Sequence, residues 1–174
     1  MKMVSAIEST AAGTVPSEAA WIAFRSVFSA LLPEEESYLL KSAERRLYEL
    51  GEAIIRQGEA CEGIHVIDSG DVRVELERAG DPIDSNIVDL ANLEAGDIFG
   101  EMSFIDDEPV SATLIANQPV EILFVSKQML QSLLIGDPTF GSRFYRSIAA
   151  TLAQRLRETN VRIEMTPRSK TAHH

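Results

Sequence analysis

The sequence predicts an α+β domain: a sandwich or barrel of short strands with helices at both ends. Apolar residues recur at helical spacing near the start of the chain and again after Ser126. Between Arg46 and Ser126 the period falls to two. In that middle stretch Gly51, Gly58, Gly63, Gly70, Gly80 and Gly96 divide the short runs. Turn signals at intervals of about 8–12 residues are the mark of a β sandwich or barrel.

Taken in order, residues 1–15 are small and polar and predict a disordered N-terminus. Helical segments are expected over 16–45. Pro16-Ser17-Glu18 opens a helix whose apolar face is Trp21, Phe24, Val27, Phe28 and Leu31. Pro33 with Glu34, Glu35 and Glu36 opens another, because acids in a first turn complement the helix dipole. Strands are expected over 46–126, at 53–57, 64–68, 72–77, 87–93, 111–116 and 120–125. Val72, Val74 and Leu76 alternate with Arg73, Glu75 and Glu77, so this strand is half wet and Arg73 points outward. Gly80-Asp81-Pro82 marks the longest hairpin. Ser126 is an N-cap for the first of two C-terminal helices over 127–165, and Asp137-Pro138 starts the second. Phe140, Phe144, Ile148, Leu152 and Leu156 step by four, a stripe that drifts around a helix of 3.6 residues per turn. Such a wrapping stripe suits a helix that packs on its own domain first and on a partner second. A loose tail, 166–174, follows.

The chain has 174 residues and a net charge of -11, which argues against non-specific nucleic-acid binding. The charge is uneven: from Pro138 onward the balance is +5. The single cysteine, Cys61, excludes an internal disulfide and suits a cytoplasmic location. No apolar run reaches the roughly 20 residues of a membrane span. Cys61 lies in a polar turn, and His65 is a lone histidine on a strand, where a structural or surface role is the ordinary one. No catalytic set and no metal-ligand spacing stands out, so an enzyme is not expected.

The stretch from Gly96 to Leu114 carries the chemistry. A strand runs into Gly100, a one-turn apolar helix follows from Glu101 to Ile105, and an acidic loop closes at Pro109. Glycine at a helix start, beside free backbone N–H groups, is how a chain builds an anion cradle.

The ordered set Gly51-Glu52, Gln57-Gly58-Glu59, Ile67-Asp-Ser-Gly70-Asp-Val72, Gly96-Asp-Ile-Phe-Gly-Glu-Met102 and Pro109-Val-Ser-Ala-Thr113 resembles the cyclic-nucleotide-binding domain family, which includes the effector domains of catabolite-activator-type regulators. The resemblance covers Phe28 to Asn160. It implies a β jelly roll flanked by helices, cAMP or cGMP as ligand, and a phosphate-binding cassette over 99–113. By resemblance the binding residues are Phe99, Gly100, Glu101, Met102, Val110, Ser111 and Ala112. Gly100 offers backbone N–H groups, Glu101 accepts from the ribose 2′-hydroxyl, and Ser111 and Ala112 reach the cyclic phosphate through backbone N–H. The pattern departs at Val110, where the family places arginine. Loss of a bidentate arginine pair costs roughly 3–5 kcal/mol, or about 10²–10⁴ in affinity. Asp106, Asp107 and Glu108 add repulsion. Arg155 and Arg157, on the helix that caps the base in the family, are candidates for a lid or a substitute cation.

Thr166 to His174 leaves too little chain for a helix-turn-helix, so the expectation is a stand-alone sensor domain that binds neither DNA nor membrane. It acts on an unknown protein partner or on a second copy through its last helix. The sequence leaves two readings open. One is a regulatory sensor whose affinity for cyclic nucleotide is weakened or lost. The other is a ligand-independent interaction module on the same fold, docking through its basic last helix.

Overall fold

The computed structural model describes residues 17–77 and 87–165. The expected disordered N-terminus, the Gly80-Asp81-Pro82 hairpin tip and the loose tail lie outside these residues. Two helices, α1 (Glu18–Val27) and α2 (Pro33–Ser42), lead into the strands β1 (Glu44–Tyr48), β2 (Ala53–Ile55), β3 (Gly63–Ser69), β4 (Asp71–Glu77), β5 (Ile87–Glu94) and β6 (Ile98–Phe99). A short helix, α3 (Glu101–Asp106), precedes β7 (Thr113–Ala116) and β8 (Val120–Ser126), and α4 (Lys127–Gly136) and α5 (Pro138–Met165) end the described chain.

The strands form two antiparallel four-stranded sheets, in the orders β1-β8-β3-β6 and β2-β7-β4-β5. These face one another as a jelly roll, and the helices cover the outside of the first sheet. Period-two alternation builds both layers. On β3 and β8, Ile64, Val66, Leu123 and Val125 face the helices and pack with Phe24, Phe28, Leu39, Phe104 and Phe144. The alternate residues Ile67, Val120 and Ile122 face the roll interior and pack with Ile55, Val72, Phe99 and Leu114.

The helix starts follow local chemistry. The Glu35 carboxylate accepts the N–H of Leu32 at 2.8 Å. Ser126 Oγ accepts the N–H of Met129 at 3.3 Å, and Asp137 Oδ1 accepts the N–H of Thr139 at 2.8 Å. Two strands are shorter than their expected runs, 53–57 and 111–116. Val110 accepts the N–H of Gly58 at 2.8 Å and donates its own to Glu59 O at 2.9 Å. That exchange takes Arg56–Glu59 and Val110–Ala112 out of the regular ladder. Arg73 reaches along its own strand to Glu75 at 2.5 Å and also bonds Asn117 at 3.1 Å. Cys61 is not in an open polar turn: it is 8% exposed, and its thiol donates to Gly63 O at 3.0 Å. No helix among the described residues is long and apolar enough to cross a membrane.

Candidate functional site

The cradle is a strand–turn–helix. β6 ends at Phe99, and Gly100 turns the chain in the left-handed region at φ 83°. Only glycine suits this position. A Cβ here lies 2.6 Å from Gly63 O and 3.3 Å from both Cys61 Sγ and His65 Nδ1, and the backbone conformation is itself unfavourable for other residues. α3 then sends Phe104 into the helix-side core and leaves Met102 56% exposed. Asp107, also left-handed at φ 60°, ends the helix, and the chain crosses Pro109 to Val110.

Glu101 is 3% exposed. Its carboxylate accepts from Arg155 Nη1 at 3.0 Å. The same guanidinium bonds the carbonyl of Ile98 and lies 3.6 Å from Asp97. Burial pushes the Glu101 carboxyl above its ordinary range, and Arg155 opposes the rise. Arg155 thus reaches the cradle from α5 while Arg157 is exposed and takes no part in these pairs. Val110 is buried against the roll interior, in the cluster of Ile55, Cys61 and Phe99. Ser111 is exposed beside the buried Ala112. Lys127, near the acidic loop, is paired with Asp107 at 2.5 Å.

Beneath the cradle lies a group that the sequence reading did not bring together. His65 stacks on Phe99, with ring centroids 4.6 Å apart, and lies 4.8 Å from Phe124. The Arg46 guanidinium covers the far face of this group, 3.5 Å from the Phe124 centroid. Burial, and then the charge of Arg46, holds the His65 imidazole down to about 3, so it is neutral. Part of the signal lies in the sequence: Gly63, His65 and Ile67 alternate on one face of β3.

The family model of the cyclic nucleotide-binding domain matches residues 45–137. The chain belongs to the cyclic nucleotide-binding domain family. It is 32% identical to the cyclic AMP receptor protein of Thermus thermophilus over 80% of this chain and 61% of that protein. It is 31% identical to the cAMP-dependent protein kinase regulatory subunit of Debaryomyces hansenii over 62% of this chain and 22% of that one. A cyclic nucleotide-binding domain from Methylobacillus flagellatus matches in structure with a TM-score of 0.69 at 25% identity, over 88% of this chain and 89% of that one. The chain therefore spans less than two thirds of the two curated relatives. The family's ligands are cAMP and cGMP, and the jelly roll is its fold.

The cradle has two unlike halves. At the start of α3 the buried Glu101 carboxylate and the Gly100 turn offer an acceptor for a hydroxyl-bearing group. In the Pro109–Ala112 segment Val110 is apolar, and Lys127 and Arg155 are each paired with an acid. Among the described residues no cluster of His, Cys, Asp or Glu is arranged to hold a metal.

Proposed function

We propose that the chain is a regulatory sensor domain of cyclic-nucleotide-binding type whose cradle binds cAMP or cGMP weakly. The observation that carries this reading is the divided cradle: Gly100 and Glu101 in place, Val110 buried among apolar neighbours. Arg155 links the cradle to α5, so a ligand whose ribose competes for Glu101 changes how α5 is held. The output is a surface of α5, where Tyr145 is 47% and Leu156 is 63% exposed, and it acts on a second copy or another protein.

A ligand-independent interaction module is the second reading. It is favoured by the fact that Arg155 already satisfies Glu101 and that Val110 needs no ligand to be buried. Calorimetric titration with cAMP and cGMP, on the native chain and on Val110→Arg, separates the two. The sensor reading expects weak native binding, tightened about 10²–10⁴-fold by Val110→Arg. Melting without ligand checks that the variant folds. Tight binding in the variant with none in the native chain favours the module. No response from either, with both folded, rejects cyclic nucleotides as ligands of this cradle.

A further inference from the structure

Among the described residues one buried side-chain nitrogen has no hydrogen-bond partner, Nδ1 of His65. A buried polar atom left unpaired is costly, and native structures seldom leave one without a reason. This atom faces the back of the cradle. Gly100 has no side chain, and the Cβ position it leaves empty lies 3.3 Å from His65 Nδ1, 3.3 Å from Cys61 Sγ and 2.6 Å from Gly63 O. Nδ1 and Sγ therefore border the same small space. Both residues are buried, His65 at 3% and Cys61 at 8% exposed. The single Cys61 thiol proton is shared between Gly63 O at 3.0 Å and Gly100 O at 3.3 Å.

The chemistry of the two atoms narrows what could lie between them. A thiolate sulfur is a soft ligand, and imidazole nitrogen suits copper. The His65 ring is neutral, which is the form that ligates a metal. Burial pushes the Cys61 thiol up, so it stays protonated until an ion replaces the proton. The described residues hold no group of three or more metal-ligating side chains, which leaves no place for zinc with its three or four protein ligands. Copper(I) is soft, and two ligands in line satisfy it. A linear sulfur–metal–nitrogen unit spans roughly 4.3 Å, from metal–ligand distances of about 2.3 and 2.0 Å. Nδ1 and Sγ lie 3.3 Å from a common point, so they are at most twice that distance apart, and rotation of the Cys61 side chain adjusts the gap. With Gly63 O only 2.6 Å from its centre, the space is tighter than a methyl group needs. That suits a bare ion and not a hydrated one.

We propose that Cys61 Sγ and His65 Nδ1 form a two-coordinate site for a soft monovalent ion, copper(I), behind Gly100. On binding, the Cys61 S–H bond breaks and its proton leaves to solvent. The electron pair left on sulfur makes one bond to copper, and the Nδ1 lone pair makes the other. No oxidation state changes. The cleft lined by Ala60, Glu62 and His65 brings solvent to the same ring and gives the ion a way in. Binding removes the thiol proton from Gly100 O, which still accepts the N–H of Phe104 at 3.0 Å. The ion therefore acts on the turn that starts α3, whether or not the cradle binds a cyclic nucleotide.

The test is anaerobic titration of the whole chain with copper(I), held in solution by the competing chelator bicinchoninate with ascorbate as reductant. His173 and His174 offer a soft ion a second place, so His173→Ala/His174→Ala is titrated beside the native chain. One tightly held ion is expected in that variant as in the native chain. X-ray absorption at the copper edge should show one sulfur and one nitrogen neighbour, and the ¹⁵N signal of His65 Nδ1 should shift on saturation. Cys61→Ser should weaken binding at least about a hundredfold and His65→Gln at least about tenfold. Melting curves check that these variants fold. If either does not, the absorption spectrum and the ring signal of the native chain decide. Four results overturn the proposal: copper held no more tightly than by free glutathione, binding lost in His173→Ala/His174→Ala, binding unchanged in a folded Cys61→Ser or His65→Gln, or copper without a nitrogen neighbour and with the Nδ1 signal unmoved.

Discussion

His65 stands between Phe99 and Phe124 with its ring almost parallel to the first, at 4°, and 3% exposed. An imidazolium has no place there, and the group's ordinary value of 6.5 is lowered to about 3 by burial and by Arg46. The sign of the pH effect follows. The unfolded chain accepts a proton near pH 6.5 that the folded chain refuses, so this stability is full above that pH and is lost as the pH falls toward 3. Between pH 7 and pH 5 the loss from this one group is about 2 kcal/mol. Glu101 acts in the opposite sense. Its raised value means stability present below its ordinary 4.5 and lost as the pH rises through the folded value. Comparing the native chain with His65→Gln removes the Glu101 contribution, which is common to both. In urea unfolding at pH 7, 6 and 5, the native chain should lose about 2 kcal/mol more than the variant. Parallel pH dependences would mean that the fold leaves His65 at its ordinary value. At this scale the sequence showed the residues but not their surroundings. Val110 was legible as a departure from the cassette pattern. That Cys61 and His65 are buried side by side with Gly100 depends on β6 and β3 pairing, His65 opposite Phe99, across a long stretch of chain.

α5 shows how an element can be legible and its role not. Asp137-Pro138 marked its start, and the four-residue step marked its apolar stripe. Phe140, Phe144 and Ile148 are buried, while Leu156 is 63% exposed, as the drift of a four-step stripe requires. Beyond Ile148 the apolar attachment thins, and Arg155 takes over as the tether, bonding Asp97, the Ile98 carbonyl and Glu101. Its partner Glu101 lies 54 residues earlier, and no local pattern connects the two. Arg155→Ala should therefore loosen the second half of α5 and not the first. In native-state hydrogen exchange, amides over 152–160 should exchange at least about tenfold faster while those over 140–148 keep their rates. Arg155→Lys, which keeps the charge but not the planar fork, should fall between the two. Uniform change along α5 would assign the attachment to packing alone.

The described residues form two apolar cores that share one wall. Ile148 is fully buried on the helix side and Ile122 is fully buried in the roll interior. β3 and β8 supply side chains alternately to both, so neither core can come apart without disturbing the strands that form the other. The alternation explains why the fold was readable from period alone, while the assignment of each face to a core was not: period two says that the faces differ, and only the pairing says what each one meets. One cooperative unit is the consequence. Ile148→Val and Ile122→Val should each cost about 0.5–1.5 kcal/mol, with little change in denaturant slope. Their double variant should lose the sum to within about 0.5 kcal/mol, because the two methylenes lie on opposite sides of a sheet. The single tryptophan, Trp21, packs on the helix-side core and reports on it by fluorescence. Far-ultraviolet circular dichroism reports on the strands and helices together. The two probes should give coincident urea transitions in all four proteins. If fluorescence moves with Ile148→Val alone and a separate transition moves with Ile122→Val, the shared wall does not couple the cores. The helices would then be an independent layer, free to reposition α5 without any change in the roll.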